Sequence, residues 1–182
     1  TLRCLAGQVI ACRDIGAGQT REVLHEGFAA GILRNVTPIE QQVAVGTDLL
    51  LADIDPLGGT VKRLELLKHR DHNDPNKNFV LFGPEHAYGA QSGLIGEGMP
   101  NHRTVWRVLP GERTLAAGAK ELQLRLAADG PNGLQVQKVY TFRRDSYLVD
   151  IAFELQNAGA APAAAHAYYQ IVRDDKSPAG EN

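Results

Sequence analysis

His69-Arg70-Asp71-His72, with Asp74 close behind, gathers two imidazoles and two carboxylates in one short segment. Such side chains are common ligands of zinc and related ions. Neither histidine has a partner at a zinc-motif spacing, and the segment is polar and runs into Pro75, so it reads as a solvated loop. His86, His102 and His166 are of the right type for general acid–base work. None stands beside a recognisable partner, and each reads as a surface histidine. Gly89-Ala90-Gln91-Ser92-Gly93 approaches a nucleophile elbow, but its serine is fourth of five rather than third. The strained turn that presents Oγ would be misplaced. Gly93-Leu94-Ile95-Gly96-Glu97-Gly98 carries its glycines in the wrong order for a dinucleotide loop, with no helix after it. Cys4 and Cys12 form no Cys-x-x-Cys pair and read as two unpaired thiols. Asn35-Val36-Thr37 matches a glycosylation acceptor, a pattern that recurs by chance. The residues therefore assign no catalytic, cofactor-binding or metal site.

The elements that would position these groups read as strands. Leu122, Leu124 and Leu126 alternate with Glu121, Gln123 and Arg125. Leu134, Val136, Tyr140 and Phe142 share one parity, and so do Tyr147, Val149, Ile151, Phe153 and Leu155. Alternation gives each strand one buried and one wet face. The aromatics Tyr140, Phe142, Tyr147 and Phe153 are thus expected in the core rather than on a stacking platform. Asp129-Gly130-Pro131-Asn132-Gly133 and Arg143-Arg144-Asp145 fit hairpin turns, which makes the stretch 120–156 a meander in need of a second layer.

Upstream, Val43 to Ile54 reads as a strand, Asp55-Pro56-Leu57-Gly58-Gly59 as a turn, and Thr60 to Leu67 as the return strand. Phe79–Phe82, His86–Leu94 and Thr104–Leu109 are further short strands, and residues 69–78 and 96–101 are loops. Ala163–Val172 is expected as strand despite its alanines, because Pro162 precedes it. Residues 1–40, interrupted by five glycines, read as a poorly ordered arm or linker, and 41–182 as the folded domain. Many short strands with close turns predict an all-β antiparallel sandwich, and no strand–helix alternation suggests a nucleotide-binding fold.

At 182 residues the chain is long enough to bury a core, and its net charge of −2 with no basic stripe argues against nucleic acid as a partner. Apolar runs such as Leu49–Ala52 are far too short to span a bilayer. No signal peptide is visible, and an opening on Thr1 rather than Met suggests a fragment or a processed product.

Several segments in order resemble one family. They are Val45-Gly46-Thr47-Asp48-Leu49-Leu50-Leu51-Ala52-Asp53-Ile54-Asp55 running into Gly58-Gly59-Thr60-Val61, then Tyr88-Gly89-Ala90-Gln91-Ser92-Gly93-Leu94. Lys138-Val139-Tyr140-Thr141-Phe142 with Tyr147, and Leu155-Gln156-Asn157-Ala158-Gly159, follow. Together, over about residues 42–172, they are similar to the large periplasmic domain of the YidC/Oxa1/Alb3 family of membrane protein insertases. The resemblance implies a twisted, galactose-mutarotase-like supersandwich, truncated here at its C-terminal side. It places the domain between two transmembrane helices on the periplasmic side of a Gram-negative inner membrane. It further implies Sec translocon accessory proteins and nascent membrane proteins as partners, through the parent protein and with no membrane span in this chain. The family's insertion groove lies among membrane helices, so no insertase residue carries over.

Two functions of different class follow. The first is a periplasmic accessory and interaction domain that helps insert and fold inner-membrane proteins, with or without the Sec translocon, and that is not an enzyme and needs no cofactor. The second is a sugar-binding or aldose-epimerase-like protein on the same sandwich, since one fold hosts many functions.

Overall fold

A computed structural model describes residues 2–4, 42–84 and 87–176. In chain order the strands are β1 (Leu2–Cys4), β2 (Val43–Gly46), β3 (Leu50–Asp55), β4 (Thr60–Arg70), β5 (Asn78–Phe82) and β6 (Gly89–Ile95). They continue with β7 (Arg107–Val108), β8 (Glu121–Asp129), β9 (Leu134–Arg143), β10 (Val149–Asn157) and β11 (His166–Val172). One sheet runs β1-β10-β9-β8-β7; the other runs β11-β6-β4-β3-β2, with β5 also paired to β4. All strand pairings within the sheets are antiparallel. This is the expected all-β sandwich.

The meander has the predicted order, with register Leu124↔Tyr140 between β8 and β9 and Ile151↔Tyr140 between β9 and β10. Its inward residues Leu122, Leu124, Leu126, Leu134, Val136, Tyr140, Phe142 and Phe153 join Val45, Leu50, Ala52, Ile54, Val61, Leu64 and Leu94 of the other sheet in one core. Each sheet thus covers the apolar face of the other, the requirement the sequence pattern set. On the outer face of the meander Arg125 donates to Gln137 (3.0 Å) and Glu154 (2.8 Å), and Arg143 pairs with Asp150. These partly exposed pairs order the solvent face more than they stabilise it.

Several boundaries differ from the sequence expectation. The stretch from Val43 to Ile54 is two strands, because Thr47 Oγ1 accepts the N–H groups of Leu49 (3.2 Å) and Leu50 (2.9 Å) and turns the chain. His69 and Arg70 extend β4 rather than opening the loop, since Arg70 still pairs with Asn78. Only Arg107–Val108 of the expected strand at Thr104–Leu109 is in the sheet; Trp106 sits before it, its backbone N–H on the Pro56 carbonyl at 2.9 Å. β6 begins at Gly89, not at His86, and β11 at His166, not at Ala163. Tyr147 precedes β10 in an exposed turn, where its ring meets His69 instead of the core. The readings for 5–41, including the glycosylation match and Cys12, lie outside the described residues.

The 55–59 turn behaves as its residues suggest. Asp55 Oδ1 accepts the Leu57 N–H at 2.8 Å, and Gly58 and Gly59 take φ of 77° and 56°. A side chain at Gly58 would collide with the His102 carbonyl oxygen, so the turn demands glycine for space as well as for conformation.

Candidate functional site

Lys138 lies on the same parity of β9 as Val136 and Tyr140, and it is fully buried. Its stem crosses from one sheet to the other, and Nζ donates to the carbonyls of Gly58 (2.9 Å), Gly59 (3.0 Å) and Ser92 (3.0 Å). The rings of Trp106, Tyr140 and Phe153 surround it, with centroids 5.8, 5.5 and 5.7 Å away. The Tyr140 hydroxyl donates to the same Gly59 carbonyl. Burial pushes the lysine amine down to about 7 and pushes the Tyr140 phenol up. The carbonyls and ring faces act against that pull on Lys138, because they favour the cation.

The sequence reading passed over Lys138, although its parity was visible between Val136 and Tyr140. A charged residue on a core face is the signal that would have singled it out. Buried between the sheets, this group joins two layers.

Surface chemistry is more open. A cleft of about 500 Å³ lies at one end of the sandwich, lined by Glu97, Gly98 and Met99, by Pro131 and Asn132, and by Asn157 with Ala161–Ala164. Three connections meet there: the loop after β6, the short 3-10 turn Pro131–Gly133, and the segment between β10 and β11. Asn157 braces the last of these, donating to the Ala161 carbonyl (2.8 Å) and accepting the Gly159 N–H (2.9 Å). Leu94 N–H on the Pro100 carbonyl (2.9 Å) closes the first. The lining is alanine, proline and methionine with two amides and one carboxylate. It offers shape, apolar surface and backbone groups, but no base facing an acid.

Among the described residues, those singled out in the sequence do not converge. Asp71 Oδ1 accepts the N–H groups of Asn73 (2.7 Å) and Asp74 (3.1 Å), and Asp74 pairs with Lys77 at 3.2 Å, so these carboxylates close their own loop. The Asn76 N–H and then Lys77 hold the Asp74 carboxyl below its usual range. Among the described residues no three His, Cys, Asp or Glu side chains come together as a metal site. His102 Nδ1 meets the Tyr168 hydroxyl, which also accepts the His102 backbone N–H at 3.1 Å. His166 is exposed at the start of β11, and His86 lies outside the described residues. Ser92, the candidate nucleophile, is buried in β6, and its carbonyl serves Lys138.

A family model described as the YidC periplasmic domain matches residues 42–182. The chain is 45% identical over 179 residues to the membrane protein insertase YidC of Dechloromonas aromatica, covering 97% of this chain and 33% of that relative. It is 46% identical over 141 residues to the YidC of Nitrosospira multiformis, covering 76% and 25% of the two chains. It is likewise 46% identical over 137 residues to that of Aromatoleum aromaticum, covering 74% and 25%. The chain thus spans a quarter to a third of the length of these curated relatives.

Proposed function

The chain belongs to the family of YidC periplasmic domains, and from that premise we propose that it is the accessory, interaction part of a membrane protein insertase, without chemistry of its own. The observation that carries this reading is the match over residues 42–182, which include strands β2 to β11, to a domain that in its relatives forms part of an insertase. In this reading the parent protein holds the domain on the periplasmic side of a Gram-negative inner membrane. There it meets nascent membrane proteins and accessory proteins of the Sec translocon.

Physical chemistry supports a division of labour. Moving a polar segment through hydrocarbon needs a protein surface inside the bilayer, because each unpaired polar group there costs several kcal/mol. Among the described residues no helix is long and apolar enough to cross a membrane. The contribution of this domain is then to hold or position a partner. The cleft beside Met99 and Ala161–Ala164 suits a short extended segment, with backbone amides and carbonyls for pairing and small apolar side chains for contact.

The decisive experiment is site-specific photocrosslinking in the full-length parent. A photoreactive residue at Ala163, in the cleft, should capture a nascent membrane protein or a Sec accessory subunit, while one at exposed Lys62 should not. Equal capture from both positions, or from neither, would remove the cleft from the proposal. The purified chain alone should insert a labelled small membrane protein into liposomes no better than liposomes do unaided. Mutarotation of glucose by the chain, abolished by His86→Ala or His166→Ala, would replace this reading with the sugar-enzyme one.

A further inference from the structure

Lys138 has no part in the proposed function, yet its surroundings are more specific than packing requires. An ammonium has three N–H bonds, and three carbonyls stand 2.9–3.0 Å from Nζ. A neutral amine has two N–H bonds and a lone pair, so one of those carbonyls would face the lone pair. Gly59 keeps the Tyr140 hydroxyl, but the Gly58 or Ser92 carbonyl in that place would lose the lysine donor, a cost in free energy that favours rearrangement of the structure around it.

The group that would rearrange is continuous with the cleft. Gly58 and Gly59 belong to the 55–59 turn, and Ser92 lies in β6. The loop that follows β6 carries Glu97 and Met99 into the cleft. At the far end of that loop, the Gly58 N–H meets the Thr104 carbonyl (2.7 Å) and the Trp106 N–H meets the Pro56 carbonyl (2.9 Å). One loop is therefore tied at both ends to the carbonyl cage of Lys138.

We propose that Lys138 is a proton-dependent clamp: its ammonium fixes the 55–59 turn to β6, and loss of its proton shifts the 96–106 loop and with it one wall of the cleft. Burial pulls the amine down to about 7, so the change falls within an accessible range. The titratable and charged groups on the elements around it include Tyr140 in β9, Glu154 in β10, Tyr168 and Tyr169 in β11, Glu97, His102 and Arg103 in the loop and Asp55 in the turn. Tyr140 stays neutral, because burial raises its phenol. Asp55 lies 3.9 Å from Lys62, and among the described residues no carboxylate pairs with Lys138. The His102 carbonyl lies against Gly58, so His102 is the group to separate from Lys138.

The chain supplies two unique reporters, since Met99 is its single methionine and Trp106 its single tryptophan. The test follows the lysine side-chain carbon resonances, the Met99 methyl resonance and Trp106 emission from about pH 5.5 to about pH 10. One lysine, assigned by its proximity to the Trp106 ring, should titrate at least about two units below an ordinary lysine. Met99 and Trp106 should follow with the same midpoint. His102→Gln should keep all three steps, and Lys138→Met should abolish them. The proposal is overturned if every lysine titrates near its ordinary value, or if the Met99 and Trp106 steps disappear in His102→Gln. It is also overturned if those two steps survive in Lys138→Met. Should Lys138→Met not fold, coincidence of the three midpoints in the unaltered chain and in His102→Gln decides alone.

Discussion

Around Lys138 and along the flank where β10 faces β11, the same alternation points side chains between the sheets, but only the first region is sealed. At the seam Tyr140, Phe153 and Trp106 pack around the ammonium with at most 2% exposure. On the flank Tyr169 does reach across, its ring 6.4 Å from that of Phe153 and its hydroxyl donating to the Ile151 carbonyl at 3.2 Å. Ile171, two residues further and on the same face, is 64% exposed. Phe79, opposite Leu66 in β4, is 38% exposed, and Leu148 is 62% exposed. Parity sets the direction of a side chain, whereas burial also requires a second layer at that height.

The largest expected effect is at the seam. Phe153→Ala should destabilise the domain by about 3–5 kcal/mol, because a fully packed ring leaves a cavity. Chemical denaturation measures this, and a loss below about 1 kcal/mol would mean that the seam is no better packed than the flank. Lys138→Met should cost about 2–4 kcal/mol. It takes the lysine donor from three buried carbonyls, of which Gly59 keeps the Tyr140 hydroxyl, at about 1–3 kcal/mol for each one left unsatisfied, but also removes the cost of burying a charge. A neutral or stabilising result would show that the clamp is only tolerated by the core.

Gly59→Val should cost about 1–3 kcal/mol. Its φ is positive, and a Cβ there would lie 2.9 Å from a Leu126 methyl and 3.1 Å from Lys138 Cδ and Nζ. An unchanged melting midpoint would show that the turn relaxes without loss to the seam.

The pH dependence should also distinguish the two regions. The folded chain holds the Lys138 amine down at about 7 against an ordinary 10.5, so between those values the unfolded chain carries more protons. Stability should then rise with pH in that window, by at most about 1.4 kcal/mol per unit, and fall again once unfolded tyrosine ionises above about 10. This rise is compatible with loss of one hydrogen bond in the clamp, since relief of a buried charge outweighs it. Lys138→Met should abolish the rise, and Ile171→Ala should retain it. The smallest effect belongs to the flank: Ile171→Ala should change stability by less than about 0.5 kcal/mol, as for an ordinary surface position. A loss comparable to that of Phe153→Ala would show that the flank is covered in solution.

Much of the sandwich was legible because its signals are local. The meander's alternation, the Asp-Pro-Leu-Gly-Gly turn and the Gly-Pro-Asn-Gly turn each act over a few residues, and each is present where expected. Errors came where a distant contact overrode a local pattern. Trp106 looked like part of a strand but is held before it by Pro56, and Tyr147 had core parity but lies in a turn against His69. The cleft had no sequence signal at all, since three segments far apart in the chain form it and none carries a motif.

The sequence by itself determined the class of fold, the order of the meander strands and the family, because alternation and motif order are written along the chain. Only the tertiary structure decided that, among the described residues, Lys138 rather than a histidine is the ionisable group enclosed between the sheets. The reason is that a lysine's parity says which way it points, while the carbonyls that receive it come from residues 46 to 80 positions away in sequence and meet only when the two sheets close.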